Sequence, residues 1–328
     1  MFKKKILVTG CSGYIGSCLT NYLGSTKYIY GIDKNHVNKW TKIKKKNFFK
    51  CNLLNKKKLL EIFNKIKPDV VVHLAAKSTV NEKIKNKDYF LNNFIATKNL
   101  IFVMNKYNTN KIIFSSTAAV YKKKNKLISE NDNLKPISKY GKAKLKTEQL
   151  ILKNKKIKSI ILRFFNVSSA ITKPIIGELH EPETHLIPLA VSKSIKSSKI
   201  SINGKDYKTK DGTCVRDYIH VKDICGAINK SIKYLGKGRN KSAILNIGNG
   251  IGLSNKDIIL ELQKINNKNV FFDYTKRRIG DSAFLVCNIK KVKKILNWKP
   301  LYSNIRTILK DEIYWSNFLA KKKIYRKI

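Results

Sequence analysis

The sequence predicts an α/β fold, a doubly wound parallel sheet followed by a smaller α/β lobe. Three observations carry this. Short, continuously apolar runs alternate with longer helical stretches, the mark of a parallel sheet covered on both faces. A glycine triplet sits between the first apolar run and the first helix. The alternation becomes irregular after about Asn166, which marks a second lobe. The expected division is residues 1–170, with segments near 214–235 returning to them, and residues 171–328.

In chain order, the buried strands are expected at "KILVTG" (5–10), "YIYGID" (28–33), "DVVVHLAA" (69–76), "KIIFSS" (111–116) and "SIILRFFN" (159–166). Helices are expected at 88–107 and 138–154, where good helix formers recur with apolar residues three and four apart. "GELHEPETHLIP" (177–188) and "NGKDYKTKDGT" (203–213) read as loops. There is no internal repeat and no low-complexity linker. The opening "MFKKKILVTGCSG" has an apolar part of only three residues before turn chemistry, so it reads as a strand and not as a leader. No apolar run approaches the roughly 18 residues of a membrane span.

The chain has 328 residues and a formal charge of +48. Such a charge suits polyanions. The lysines are scattered, however, and only seven residues are arginine, the better fork for phosphate and base edges. Compositional drift toward lysine therefore accounts for the charge. No nucleic-acid module and no aromatic–basic alternation is present, so neither a specific nucleic acid nor a membrane is expected as partner. The six cysteines form no CxxC and no regular spacing, so no metal centre and no disulfide framework is expected, and a reducing cytoplasm fits.

"GCSGYIG" places glycines at 10, 13 and 16. After a strand and at the start of a helix, this spacing lets a pyrophosphate approach the backbone at the helix N-terminus. Asp33 ends the second expected strand. A carboxylate there accepts from ribose hydroxyls and repels a 2′-phosphate, which favours NAD over NADP. Further on, "FSSTAAVY" (114–121) puts Thr117 at the carboxyl edge of the sheet, and "ISKYGKAK" (137–144) puts Tyr140 and Lys144 one helical turn apart. Alone, a Tyr-x-x-x-Lys in a lysine-rich chain carries little; after a nucleotide loop and a hydroxyl, in that order, it points to acid–base chemistry. His73 ends an apolar strand and reads as a satisfied core histidine.

Together "TGCSGYIGS", "HLAAKSTV", "FSSTAAVY", "YGKAK", "RFFN", "PETHLIP", "DGTCVRDYIHVKD" and "RRIGD" resemble the extended short-chain dehydrogenase/reductase family, whose first domain is a Rossmann fold. Within that family they are similar to the 4-epimerases of UDP-sugars over nearly the whole chain. The resemblance implies an isomerase that uses NAD to interconvert UDP-galactose and UDP-glucose by oxidation at C4, turnover of the 4-keto sugar and re-reduction. It implies Tyr140 as acid/base, Thr117 on the same sugar oxygen, and Lys144 on the nicotinamide ribose, favouring tyrosinate and bringing the tyrosine toward about 7. It implies NAD contacts from Gly10, Gly13, Tyr14, Ile15, Gly16, Asp33, Asn52, Leu53, Lys77, Asn92 and Phe165. UDP-sugar contacts are implied for Asn166, His185, Leu186, Arg216, Arg278 and Asp281; the two arginines suit bidentate phosphate recognition. A homodimer is implied through the helices near 88–107 and 138–154.

Three positions depart from the pattern. Asn52 replaces an Asp near the adenine, Asn203 replaces an aromatic beside the uracil, and Leu285 stands at the position that limits room around the sugar C2 substituent. UDP-N-acetylhexosamine or UDP-glucuronate 4-epimerase is thus an alternative, as are a nucleotide-sugar reductase and a non-catalytic nucleotide-binding protein. A 4,6-dehydratase needs an acid one or two residues after the threonine, where this chain has Ala118 and Ala119.

Overall fold

The structure is a computed structural model, in which residues 4–24, 28–78, 85–180, 182–237, 241–267, 269–278 and 281–324 are described. Parts of two quoted motifs, Thr79 and Val80 of "HLAAKSTV" and Ile279 and Gly280 of "RRIGD", lie outside the described residues. The chain forms two compact units. The first comprises residues 1–122, 130–164 and 225–245; the second comprises 123–129, 165–224 and 246–328.

The first unit follows the expected alternation: β1 (Ile6–Thr9), α1 (Tyr14–Leu23), β2 (Ile29–Asp33), β3 (Phe48–Lys50), α2 (Lys56–Ile66), β4 (Val70–His73), α3 (Asn86–Tyr89), a π-helical turn (Phe90–Ile95), α4 (Ala96–Lys106), β5 (Lys111–Thr117), α5 (Lys139–Lys153) and β6 (Lys158–Phe164). The strands lie in the order β3-β2-β1-β4-β5-β6, and each adjacent pair is parallel. This is the doubly wound order, with its switch point between β1 and β4. Ligands of such sheets bind outside the carboxyl ends of the strands there. The central strands carry Leu7, Val71, Ile112 and Ile161, all with zero exposure, against Leu59, Phe63, Leu100 and Met104 of the covering helices.

The single helix expected over 88–107 is instead α3, the π turn and α4 in succession. A π turn adds a residue per turn and re-aims side chains, here around Asn92 and Asn93. The sequence reading had passed over β3 and α2. β3 is three residues long, and α2 is opened by Asn55, whose side chain accepts from Lys58 N.

The remaining elements are β7 (Asn166–Ser168), β8 (Ile171–Thr172), β9 (Ile175–Ile176), α6 (Leu186–Ile195), β10 (Ile200–Asn203), β11 (Val215–His220), α7 (Val221–Gly236), β12 (Ala243–Ile247), β13 (Gly252–Ser254), α8 (Asn255–Asn266), β14 (Phe272–Thr275), β15 (Phe284–Leu285), α9 (Lys290–Leu296) and α10 (Ile305–Lys321). β12 extends the large sheet beyond β6. Residues 214–224 lie in the second unit, because β11 pairs with β7, β13 and β15. The return to the first unit therefore starts at Cys225 and not near 214. The second unit's own core joins α6, α8 and α10 through Ile187, Val191, Ile258, Leu262, Ile308 and Leu309. The expected loop 177–188 gives up its last three residues to α6, whose first turn tolerates Pro188. All six cysteines are free and buried. Among the described residues no helix is long and apolar enough to cross a membrane.

Candidate functional site

The glycine loop is built by close approach. Gly10 has φ +72°, and a Cβ on it would lie 2.7 Å from the backbone nitrogen of Ala75. A Cβ on Gly16 would lie within 2.1 Å of the Gly10 carbonyl oxygen. The first turn of α1 thus packs directly on the loop, and larger residues at either position would push it away. Gly13 caps α1 without a side chain, which keeps the way open to the first-turn N–H groups beside Tyr14 and Ile15. Asp33 closes β2 and reaches the same loop: Ser12 N donates to its Oδ2 at 3.0 Å, and Asn35 N donates to its Oδ1 at 3.0 Å. This arrangement fits a dinucleotide, with backbone donors for the pyrophosphate and a carboxylate at the end of the neighbouring strand.

The other residues implied for NAD divide. Asn52 is exposed, and its side chain accepts from Leu54 N at 3.0 Å, making a local turn. Leu53 is buried, its carbonyl held by Asn99. Lys77 is fixed through its backbone by Asn93, which accepts from Lys77 N at 2.7 Å and donates to Lys77 O at 3.1 Å. Asn92, the residue singled out in the sequence, donates to Asp88 O within its own helical turn. The buried Asn93 was missed.

The Tyr140 hydroxyl faces the Thr117 side chain, which favours its ionised form. Thr117 Oγ1 accepts from Ala119 N at 3.1 Å. Lys144 is buried; its Nζ donates to Ser115 O at 2.7 Å and lies 5.9 Å from the Tyr140 ring centroid. α5 brings these groups to the end of β5, and two residues allow it. Ser138 caps the helix by accepting from Gly141 N at 3.0 Å. Gly141 then passes so close to the turn after β5 that a Cβ would lie 2.4 Å from Ala119 O. A glycine inside a helix costs about 1 kcal/mol, and that cost was the available signal for the contact.

Burial pushes Tyr140 up to about 12, against the Thr117 hydrogen bond, which lowers it. Burial also brings Lys144 down to about 7, against Glu148, which raises it. The protein's own groups therefore keep Tyr140 protonated at neutral pH and leave Lys144 about half protonated; the expected lowering of Tyr140 is not produced, because desolvation dominates.

Beneath the pair, Arg163 Nη2 meets Glu148 Oε2 at 2.6 Å with both side chains about 1 % exposed. Ser116 donates to Glu148, and Arg163 donates to the Tyr121 hydroxyl at 2.8 Å. Arg163 is thus a core residue that braces β5, β6 and α5. His73 is also core, with Nδ1 on Thr9 Oγ1 at 2.7 Å and Nε2 on Thr97 Oγ1 at 2.8 Å.

In the second unit, Arg216 donates to Ser282 O at 2.6 Å and lies 3.4 Å from Asp281 Oδ1. Leu186, Asn203 and Arg278 line a cavity of about 290 Å³. Asn203 accepts from Thr275 Oγ1 at 2.9 Å. Phe165 is buried, and Asn166 and Leu285 both sit on the sheet around β11, opposite Tyr218 and Arg216. Although burial pushes His185 down, Glu178 and Glu183 outweigh it and raise it to about 9. Arg277 pairs with Asp206 at 2.6 Å and covers the Tyr207 ring, so Arg277 is committed to the 203–213 loop.

The sequence profile of the NAD dependent epimerase/dehydratase family matches residues 6–248. The chain belongs to this family. A UDP-glucose 4-epimerase of Rhizobium meliloti strain 1021 is 35% identical over 92% of this chain and 94% of its own length. A UDP-glucose-4-epimerase from Stenotrophomonas maltophila, crystallised with bound NAD and formylated UDP-arabinopyranose, has a TM-score of 0.89 and 26% identity, covering 97% of this chain and 99% of its own. The UDP-Glc/GlcNAc 4-epimerase of Campylobacter jejuni has a TM-score of 0.81 and 33% identity, covering 96% and 99%. The family and its structural neighbours crystallised with NAD bear out NAD as the cofactor.

Proposed function

We propose that this chain is an NAD-dependent isomerase that interconverts UDP-galactose and UDP-glucose at C4. The observation that carries this is Tyr140 facing Thr117, with the buried Lys144 Nζ 5.9 Å from the Tyr140 ring centroid, in a chain related over nearly its full length to UDP-glucose 4-epimerases.

Gly10, Gly13, Tyr14, Ile15, Gly16 and Asp33 would hold the adenosine and pyrophosphate of NAD. Asn52, Leu53, Lys77, Asn92 and Phe165 would complete its contacts, and Asn93 fixes Lys77. When bound, NAD supplies the hydride acceptor and donor and, oxidised, a positive ring charge that favours the phenolate. Tyr140 takes the proton of the sugar 4-hydroxyl, while Thr117 holds the same oxygen. Lys144 adds a donor and, when protonated, a charge beside the phenolate, offsetting the cost of ionising a half-buried tyrosine. After the 4-keto sugar has turned, Tyr140 returns the proton to the oxygen now on the other face. No net redox occurs, so the protein has no need to release NAD between turnovers.

Arg216 and Arg278 would grip the diphosphate, with His185 Nε2 adding a donor. Asn166, Leu186 and Asp281 would contact the remaining UDP-sugar. The absence of an acid at Ala118 and Ala119 argues against dehydration. A second reading, turnover of UDP-N-acetylhexosamines as well, is favoured by the likeness to the Campylobacter enzyme and by Leu285, smaller than a tyrosine. A cytoplasmic location suits six free, buried cysteines. A homodimer suits Phe90, Phe102 and Leu152, which are exposed on the π turn, α4 and α5.

Replacing Tyr140 by Phe tests the assignment. Turnover of UDP-galactose should fall by at least about a hundredfold while NAD stays bound; near-normal turnover would remove Tyr140 from the mechanism.

A further inference from the structure

Between β9 and α6 the chain folds a loop that the proposed reaction does not fully use. Glu178, His180, Glu183 and His185 each offer one ligand atom, and these atoms lie within 4.8 Å of one another. His180 Nδ1 is 2.5 Å from Glu178 Oε1; His185 Nδ1 is 3.4 Å from that oxygen and 2.9 Å from Glu183 Oε1. Two details distinguish this group from ordinary ion pairing. His180 Nδ1 makes no hydrogen bond despite its short approach to the carboxylate, and neither does Glu183 Oε2. The Glu183 side chain is fully buried. A buried carboxylate oxygen without a donor is costly, and a cation among these atoms would remove that cost.

We propose that Glu178, His180, Glu183 and His185 bind one divalent cation of the zinc class. Two imidazole nitrogens and two carboxylates form a closed, four-ligand set that suits zinc. It is too rich in nitrogen for magnesium or calcium, which prefer all-oxygen shells. The frame is braced at both ends. Trp315 Nε1 donates to Glu178 O at 3.0 Å. A Cβ on Gly177 would lie 2.5 Å from the Trp315 ring, so the chain is seated directly on that indole. At the other end His185 is the N-cap of α6. With four protein ligands the ion is structural, tying the loop to the start of α6. His185 would ligate through Nδ1, which leaves Nε2 for a hydrogen bond.

The test uses the full-length protein, stripped with a chelator and dialysed, then titrated with Co²⁺ followed by Zn²⁺. One Co²⁺ per chain should bind with the intense visible absorption of a tetrahedral site, and Zn²⁺ should displace it. His180→Gln and Glu183→Gln should each weaken binding by at least about tenfold, with circular dichroism checking that each is folded. His36→Gln, in the first unit, should leave binding unchanged. Absence of stoichiometric uptake by the unmodified protein would overturn the proposal. So would uptake undiminished in the folded variants, or lost in His36→Gln.

Discussion

Gly141 is where packing and chemistry meet most tightly. A Cβ at this position would lie 2.4 Å from Ala119 O and 3.1 Å from Pro136 Cβ. Against an ordinary contact that is about 1 Å short, so in Gly141→Ala the first turn of α5 must retreat by about that distance. Tyr140 is the adjacent residue, and Thr117 lies two residues before Ala119. The retreat therefore moves the Tyr140 hydroxyl away from Thr117. Stability should change little. Overpacking costs about 1–3 kcal/mol, offset by the roughly 1 kcal/mol that alanine gains over glycine in a helix. Turnover should suffer much more, because a displacement of about 1 Å at reacting groups can cost about a hundredfold. Initial rates with UDP-galactose, measured beside urea unfolding of the same preparation, separate the two effects. A variant within about threefold of the parent rate would refute the idea that this close approach positions Tyr140.

Two further outcomes follow from the buried polar groups. Glu148→Gln leaves Arg163 charged, buried and without its carboxylate, which should cost about 3–5 kcal/mol in urea unfolding; an unchanged midpoint would mean that Tyr121 and the backbone suffice. Burial lowers His73 to about 3 from an ordinary 6.5. The folded value lies below the unfolded one, so burial of the neutral ring stabilises fully above pH 6.5 and is progressively lost as pH falls toward 3. Between neutral pH and pH 5 the loss should be about 2 kcal/mol. His73→Gln should lack that component; parallel pH profiles for the two proteins would contradict it.

Much of the first unit was legible because its signals are local. Continuous apolar strands, a glycine triplet after the first of them, and Asp33 at the end of the second all act on their immediate neighbours. His73 was legible as core because an apolar strand ends on it. What escaped depends on tertiary partners. Periodicity over 88–107 is helical whether or not a π turn interrupts it. Asn92 and Asn93 differ only in which way that turn aims them. Arg163 stands in the quoted "RFFN", but its partner Glu148 comes from α5, fifteen residues upstream. Gly141 carried a visible cost in helix propensity, but only the neighbouring turn gives that cost a reason. In the second unit, residues 214–224 stay with β7, β13 and β15 through strand pairing that no short stretch of sequence reveals. The His–Glu loop before α6 reads as irregular in sequence because its order comes from side chains and not from backbone repetition.

The central claim is C4 epimerisation with resident NAD, and incubation with UDP-galactose without added cofactor tests it most directly. The nucleotide sugars would be separated by chromatography, and the supernatant of the denatured protein assayed for NAD. UDP-glucose formed by a protein that releases about one NAD per chain is the result expected. UDP-galactose left unchanged by a protein that still releases NAD would contradict the claim.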